Sequence, residues 1–225
     1  MGQKIHPTGF RIGNTFTWKS TWYANARSYS DRILEDKLIR DFFEKKLSNA
    51  GLDRIEIERS INAIKIRLHV SRPGVVIGRG GSNLEELKNQ LARLLKINPR
   101  DPKGMRVSID EIVEVKQPDL SAKFVVERIT DQLIKRYPHR RAISQALERV
   151  MNAGAKGVKI HLSGRLGGVE IARSEKHSLG TVPTQTLRAN IDYYEKPALT
   201  KSGLIGIKVW IYKGEAKPVK SNNEK

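Results

Sequence analysis

The 225-residue chain contains no cysteine, which excludes disulfides, thiolate metal sites and thiol nucleophiles and suits a reducing cytosol. No stretch approaches the roughly 18 consecutive apolar residues of a membrane span. The amino terminus Met1-Gly2-Gln3-Lys4-Ile5-His6 lacks the apolar core of a signal peptide, and His6 stands where a myristoylation motif wants Ser or Thr. A soluble, unprocessed protein is the expectation. The five histidines, His6, His69, His139, His161 and His177, offer no pair at helical metal spacing and no HExxH, so we expect no metal, no cofactor and no catalytic residue. Acidic pairs such as Glu85-Glu86 and Asp110-Glu111 read as helix starts or solvated groups rather than a shared-proton dyad. Negative charge is scarce: 24 Asp+Glu face 42 Lys+Arg, a net +18. Such a field favours polyanionic partners. The 38% hydrophobic content can fill two modest α/β cores.

Residues 1–30 form a basic, aromatic section in which Lys4, Arg11, Lys19 and Arg27 interleave with Phe10, Phe16, Trp18, Trp22 and Tyr23 without a period. Two readings stay open: an extension lying on a partner, and an arm folded back on its own domain. From Asp31, the spacing of Leu34, Leu38, Phe42 and Leu47 predicts a helix closed by Asn49 to Gly51. Alternation around Ile55 and Ile57, and again at Ile64, Ile66, Leu68 and Val70, predicts two half-buried strands. Leu84, Leu87, Leu91, Leu94 and Leu95 mark another helix, and Met105, Val107 and Ile109 a further strand. The resulting order is αββααβ over residues 31–115.

Residues 116–215 predict a second α/β domain with a mainly antiparallel sheet. Asp119 is placed to cap a helix carrying Phe124, Val125, Ile129 and Leu133. After Tyr137-Pro138, a second helix buries Ile143, Leu147, Val150 and Met151, ends at Gly154, and turns Arg141, Ser144 and Glu148 outward. Val158-Ile160-Leu162 and Ile205-Ile207-Val209-Ile211 alternate as strands, with Leu187 to Tyr194 expected to pair between them. Residues 216–225 are polar and lysine-rich, and are expected to be disordered.

The most informative stretch runs from Val70 to Leu87. It contains Gly78-Arg79-Gly80-Gly81 between a basic strand and the leucine-faced helix. This run resembles a KH loop, in which a Gly-x-x-Gly turn lets backbone approach a sugar-phosphate strand without intervening Cβ atoms. Arg79 and Arg72 add charge, and the following helix directs its free N–H groups toward the same place. The αββααβ order resembles the type II KH arrangement. A second glycine-rich segment, Ser163-Gly-Arg-Leu-Gly-Gly168, centres Arg165, with Arg173 and Lys176 close behind. It reads equally as a hairpin-type turn and as an RNA contact.

The motif Met-Gly-Gln-Lys-Ile-His-Pro-Thr-Gly-Phe-Arg-Ile-Gly at the amino terminus, the KH loop, Gly154-Ala-Lys-Gly-Val-Lys, Ser163 to Arg173, Thr186 to Tyr193 and Gly206 to Gly214 occur in order. Together they resemble the family of bacterial-type ribosomal protein three of the small subunit. The resemblance implies a non-enzymatic, cytoplasmic component of the small-subunit head that binds ribosomal RNA. RNA contacts are then expected at Gly78, Arg79, Gly80, Gly81, Arg72, Lys4, Arg11, Arg165, Arg173 and Lys176. It further implies a face at the messenger RNA entrance, formed by Lys135, Arg136, Arg140 and Arg141, and neighbours in proteins ten and fourteen of the head and four and five of the entrance. Two departures stand out: Ser144 and Gln145 replace further basic residues, and the connection Lys96 to Gly104 is longer than usual. The rival readings are a free-standing KH regulator of single-stranded RNA, and a nucleic-acid enzyme, for which no nucleophile or metal-ligand cluster is present.

Overall fold

The computed structural model describes residues 3–61, 63–95 and 106–216. Met105, the 96–104 connection and all of the lysine-rich tail except Ala216 lie outside the described residues. The chain divides into two compact units, one from Trp18 to Lys116 and one in which the residues up to Thr17 join those from Gln117 onward. The aromatic arm is thereby split. Its first part begins with the short helix α1 (Pro7–Arg11) and belongs to the second unit.

The first unit contains β1 (Ser20–Thr21), α2 (Ala26–Lys46), β2 (Leu52–Arg59), β3 (Ala63–Val70), α3 (Pro73–Ile77), α4 (Ser82–Leu94) and β4 (Arg106–Glu114). After α2 this is the expected ββααβ succession of a KH domain. Strand order is β1-β2-β3-β4, with β2 and β3 an antiparallel pair and β4 parallel to β3. The period-two alternation is realised directly: Ile55, Ile57, Ile64, Ile66, Leu68 and Val70 are buried, while Lys65 and Arg67 between them are exposed. They meet Leu87 and Leu91 of α4 in one core.

Helix α2 corrects the sequence reading. Leu34 and Leu38 are 60% and 49% exposed, while Ile39, Phe43 and Leu47 face the sheet. A polar anchor sets this rotation. The carboxylate of Asp36 accepts from Trp22 Nε1 at 2.8 Å and from Arg59 Nε at 2.8 Å, and Asp36 and the Arg59 side chain are almost fully enclosed. An enclosed ion pair tolerates little change of geometry, so the face bearing Asp36 must look inward and carries Ile39 and Phe43 with it.

The second unit adds α5 (Ala122–Ile134), α6 (His139–Asn152), β5 (Gly157–Gly164), β6 (Arg173–Gly180), β7 (Ala189–Thr200) and β8 (Gly203–Glu215). All its strand pairs are antiparallel, in the order β6-β5-β8-β7. The two helices cover one face of this sheet through Val126, Ile129, Ile143 and Val150 against Val158, Ile160, Ile207 and Val209. The segment near residues 189–194 is therefore an edge strand, not one inserted between β5 and β8. The full alternation of β8 pairs with β5 on one side and β7 on the other, leaving no slot between β5 and β8. Asp119 does not cap α5. It accepts from Arg128 at 2.6 Å, while Asp192 takes the Ala122 N–H at 3.2 Å.

Arg11 also departs from expectation, because it cannot reach RNA. Its side chain is fully buried and donates to the carbonyls of Ala189 (2.7 Å), Pro7 (2.9 Å), Pro183 (3.4 Å), Thr184 (2.9 Å) and Thr186 (2.9 Å). Burial lowers its pKa, yet a guanidinium surrounded by carbonyls stays a donor. Arg11→Ala would leave these acceptors without their shared partner and destabilise the second unit by roughly 3 kcal/mol. Arg11→Lys restores the charge but not the planar fork. Thermal unfolding of both variants checks this, and a lysine variant as stable as wild type would show that charge alone holds the arm.

Candidate RNA interface

The Gly-x-x-Gly turn is closed by specific bonds. Helix α3 ends with the Gly78 N–H on the Gly74 carbonyl at 3.0 Å, and Asn83 Nδ2 reaches back from α4 to the Val75 carbonyl at 2.8 Å. Gly78 has φ +72°, and a Cβ there would stand 2.7 Å from Asn83 Cβ, so its glycine serves closure of the loop. Gly80 (φ +61°) and Gly81 (φ +84°) differ: a Cβ on either would meet nothing within 4 Å. Their bare backbone faces outward. Gly81 leads into α4, whose start has no side-chain cap; the Ser82 N–H is taken by the Arg79 carbonyl, and the positive end of the helix dipole points toward the loop.

Charge distribution separates this edge from the rest of the domain. On the solvent face of the first sheet, Lys65 lies 3.7 Å from Asp110, and Arg67 lies 3.7 Å from Glu58 and 3.6 Å from Glu111. Those cations are neutralised locally. Arg72 and Arg79 are exposed and have no ion-pair partner among the described residues. Beside them Val75 and Ile77 are 48% and 41% exposed, a small apolar flank against which bases can rest.

A second basic cluster surrounds the α5–α6 junction. Helix α5 ends with the Arg136 N–H on the Leu133 carbonyl at 3.0 Å and the Tyr137 N–H on the Gln132 carbonyl at 2.9 Å. This closure puts Arg136 at φ +59°, the one non-glycine residue with positive φ among the described residues. A side chain there costs on the order of 1 kcal/mol relative to glycine. Helix α6 follows, turning Arg140, Arg141, Ser144 and Glu148 to solvent while Ala142, Ile143, Ala146 and Val150 pack inward. Gln145 accepts from Gln132 Nε2 at 3.1 Å and so acts as a strut between the helices.

Glu175 of β6 lies 3.3 Å from His139 Nε2, 3.4 Å from His177 Nε2 and 3.6 Å from Arg140. Desolvation opposes its charge, but the His177 hydrogen bond and the nearby His139 and Arg140 hold its pKa below the usual carboxylate value. Of Lys135, Arg136, Arg140 and Arg141, only Arg140 has a carboxylate within ion-pair reach among the described residues.

The remaining sequence-derived candidates fall into different roles. Arg165 donates to Val169 O (3.0 Å) and Ser202 O (3.2 Å), bracing the hairpin connection between β5 and β6. Arg173 is exposed at the start of β6. Lys4 and Lys176 line a cleft of about 750 Å³ together with Lys159, His161 and Lys208. Those last three escaped the sequence reading. Their signal was the polar half of the alternation at Val158-Ile160-Leu162 and Ile207-Val209, which marks the sheet face opposite the core. Among the described residues no helix is long and apolar enough to cross a membrane, and no group of three or more His, Cys, Asp or Glu could hold a metal ion.

Comparison with known proteins converges on the same segments. Residues 38–120 match the KH domain family, and residues 129–211 match the family described as "Ribosomal protein S3, C-terminal domain". Among relatives named "Small ribosomal subunit protein uS3", that of Listeria monocytogenes is 51% identical over 223 residues, covering 99% of this chain and 98% of its own. Those of Enterococcus faecalis and Clostridium novyi are 50% and 47% identical over 225 and 220 residues, covering 100% and 98% of this chain and 99% and 96% of their own.

The two loop glycines should respond differently to a methyl group. Gly80→Ala adds only the left-handed backbone cost of roughly 1 kcal/mol, whereas Gly78→Ala adds the collision with Asn83 and should destabilise the first unit by more. Denaturant unfolding followed by the fluorescence of Trp18 and Trp22 compares them. Equal losses would mean that Asn83 does not determine the loop closure.

Proposed function

The chain belongs to the family of small ribosomal subunit protein uS3, structural components of the small ribosomal subunit, and from that premise we propose how it engages RNA. The loop around Gly78, Arg79, Gly80 and Gly81, with Arg72, holds ribosomal RNA in the head of the cytoplasmic ribosome. Lys135, Arg136, Arg140 and Arg141 line the entrance of the messenger RNA track. Lys4, Arg173 and Lys176 extend the ribosomal RNA contact on the second domain, and the neighbours that the family resemblance suggests are proteins ten and fourteen in the head and four and five at the entrance.

The observation that carries this reading is the partition of charge. Lys65, Arg67, Lys208 and Lys213 on the sheet faces are matched to carboxylates, whereas the cations at the loop and the α5–α6 junction stand exposed and, among the described residues, almost wholly unmatched. Uncompensated charge of one sign in two places repels itself in the free protein and is relieved by phosphates. Keeping a non-glycine residue at φ +59° supports the junction further, since such backbone cost persists where a side chain is used.

Two measurements test it. Arg79→Asp with Gly80→Asp places negative charge at the open backbone, in a conformation that Asp tolerates, and should lower affinity for small-subunit RNA by about tenfold or more with an unchanged circular dichroism spectrum. On equal amounts of assembled subunits, Arg140→Ala with Arg141→Ala should slow translation through a stable messenger hairpin more than through an unstructured message. Adding charge with Ser144→Lys should do the reverse, by strengthening the grip on the single strand. Equal rates for all three proteins on the hairpin message would remove the entrance role and leave these arginines as ribosomal RNA anchors.

A further inference from the structure

The face of the second sheet that the helices leave uncovered carries two cross-strand rows. Lys176, His161, Lys208 and Glu195 stand opposite one another on β6, β5, β8 and β7, and Lys159, Trp210 and Tyr193 form the adjacent row. Helix α1 and the residues before it close one side of this surface. His6 packs edge-on against the Tyr193 ring at 4.8 Å between centroids, which makes the surface a cleft bordered by Lys4, Ile5 and Phe10.

Directly opposed like charges destabilise a sheet, and here Lys176 and Lys208 flank a histidine in register. The single carboxylate of the cleft, Glu195, is already engaged by Tyr193 Oη and by Lys208 Nζ at 3.4 Å. Lys4, Lys159 and Lys176 have no carboxylate there. Lys159 is held over the Trp210 ring at 5.4 Å, and its pKa is lowered by burial and then by Lys4 and Lys176. Burial and neighbouring lysines, Lys176 foremost, also lower His161. The buried Nε2 of His161 has no hydrogen-bond partner, an uncommon condition for an enclosed polar atom. The cleft thus offers surplus positive charge, an unused hydrogen-bonding nitrogen and an aromatic wall, in a volume of about 750 Å³.

We propose that this cleft binds one nucleotide unit turned out of an RNA strand, with its phosphate among Lys4, Lys159 and Lys176, its base against Ile5 and Phe10, and His161 Nε2 bonded to its sugar or base edge. The proposal rests on the RNA-binding reading and adds a specific site to it. A free nucleotide shares the chemistry, but the strand is favoured by the open rim: Lys176, Lys208, Lys4 and Ile5 are all exposed, so a chain can enter and leave. Aromatic and cationic groups combined in a groove are the usual platform for single strands.

The full-length protein is mixed with a single-stranded pentanucleotide, with adenosine monophosphate, or with neither, and is irradiated to form zero-length cross-links that are mapped by mass spectrometry. Wild type should cross-link the pentanucleotide at the cleft, in peptides bearing Phe10, His161, Tyr193 or Trp210, as well as at the Gly78 loop. Lys176→Glu, on an exposed edge-strand position, and Lys159→Gln with Lys176→Gln should each abolish the cleft cross-links and leave those at the loop. Affinity should fall about tenfold, and the slope of log K against log salt should shrink by about 0.7 for each phosphate that is no longer neutralised. Cross-links confined to the loop, or unaffected by both variants, would overturn the cleft while leaving the RNA-binding reading intact. Monophosphate binding as tight as the pentanucleotide would replace the strand with a free nucleotide and overturn the proposal. No RNA binding by wild type would overturn both readings together.

Discussion

The guanidinium of Arg11 holds the second unit in the form on which its exposed sheet face depends. It donates to backbone carbonyls of α1, of the 183–186 connection and of Ala189 at the start of β7. A planar group with five N–H donors can bind several peptide oxygens converging from separate segments, which no apolar side chain could satisfy. With this anchor in place, His6 reaches Tyr193 and Lys4 and Phe10 border the sheet face. Without it, a short segment with a five-residue helix has too little apolar surface to stay ordered. Asp36 has the corresponding place in the first unit, tying α2 to Trp22 and to Arg59 of β2, both of which donate to its carboxylate.

A formal charge of +18 constrains everything else. Some cations are matched locally and others are not. Lys65, Arg67, Lys208 and Lys213 each lie within ion-pair distance of a carboxylate, whereas Arg72, Arg79, Lys135, Arg136 and Arg141 have none among the described residues. Exposed pairs of the first kind contribute little stability, about 0 to 1 kcal/mol each, but they cancel the field locally. Among the unmatched cations, those at the glycine loop and at the junction between two helices also stand where the backbone is exposed or strained. Net charge alone announces a polyanion, and local pairing separates the cations already matched within the protein from those that are not.

Much of this was legible in the chain itself. Alternation at Ile64-Ile66-Leu68-Val70 and at Ile205-Ile207-Val209-Ile211 identified both central strands and their buried faces, because a strand exposes its two faces with a strict period. Gly78 to Gly81 announced a turn, and Gly154 (φ +98°) ends α6 as its position implied. The errors have physical causes. In α2, hydrophobicity favoured Leu34 and Leu38, but a buried carboxylate and its arginine fixed the rotation, and no periodicity of apolar residues encodes that pair. Asp119 looked like a cap because it sits just before a helix, yet Arg128 claimed it and Asp192, far along the chain, took the first N–H.

Local composition and spacing determined the elements, their inward faces, the Gly-x-x-Gly turn and the preference for a polyanion, since each rests on neighbours within a few residues. Tertiary structure decided which basic residues remain free to act. Arg11 and Arg79 are alike in sequence, each beside glycine-bearing turns in basic segments, but the first is enclosed by carbonyls from residues more than 170 positions away and the second faces solvent. It also brought Lys4 together with Lys159, His161 and Lys176 from three segments. Whether a charge is satisfied depends on what lies within a few ångströms, and that distance is a property of the folded chain.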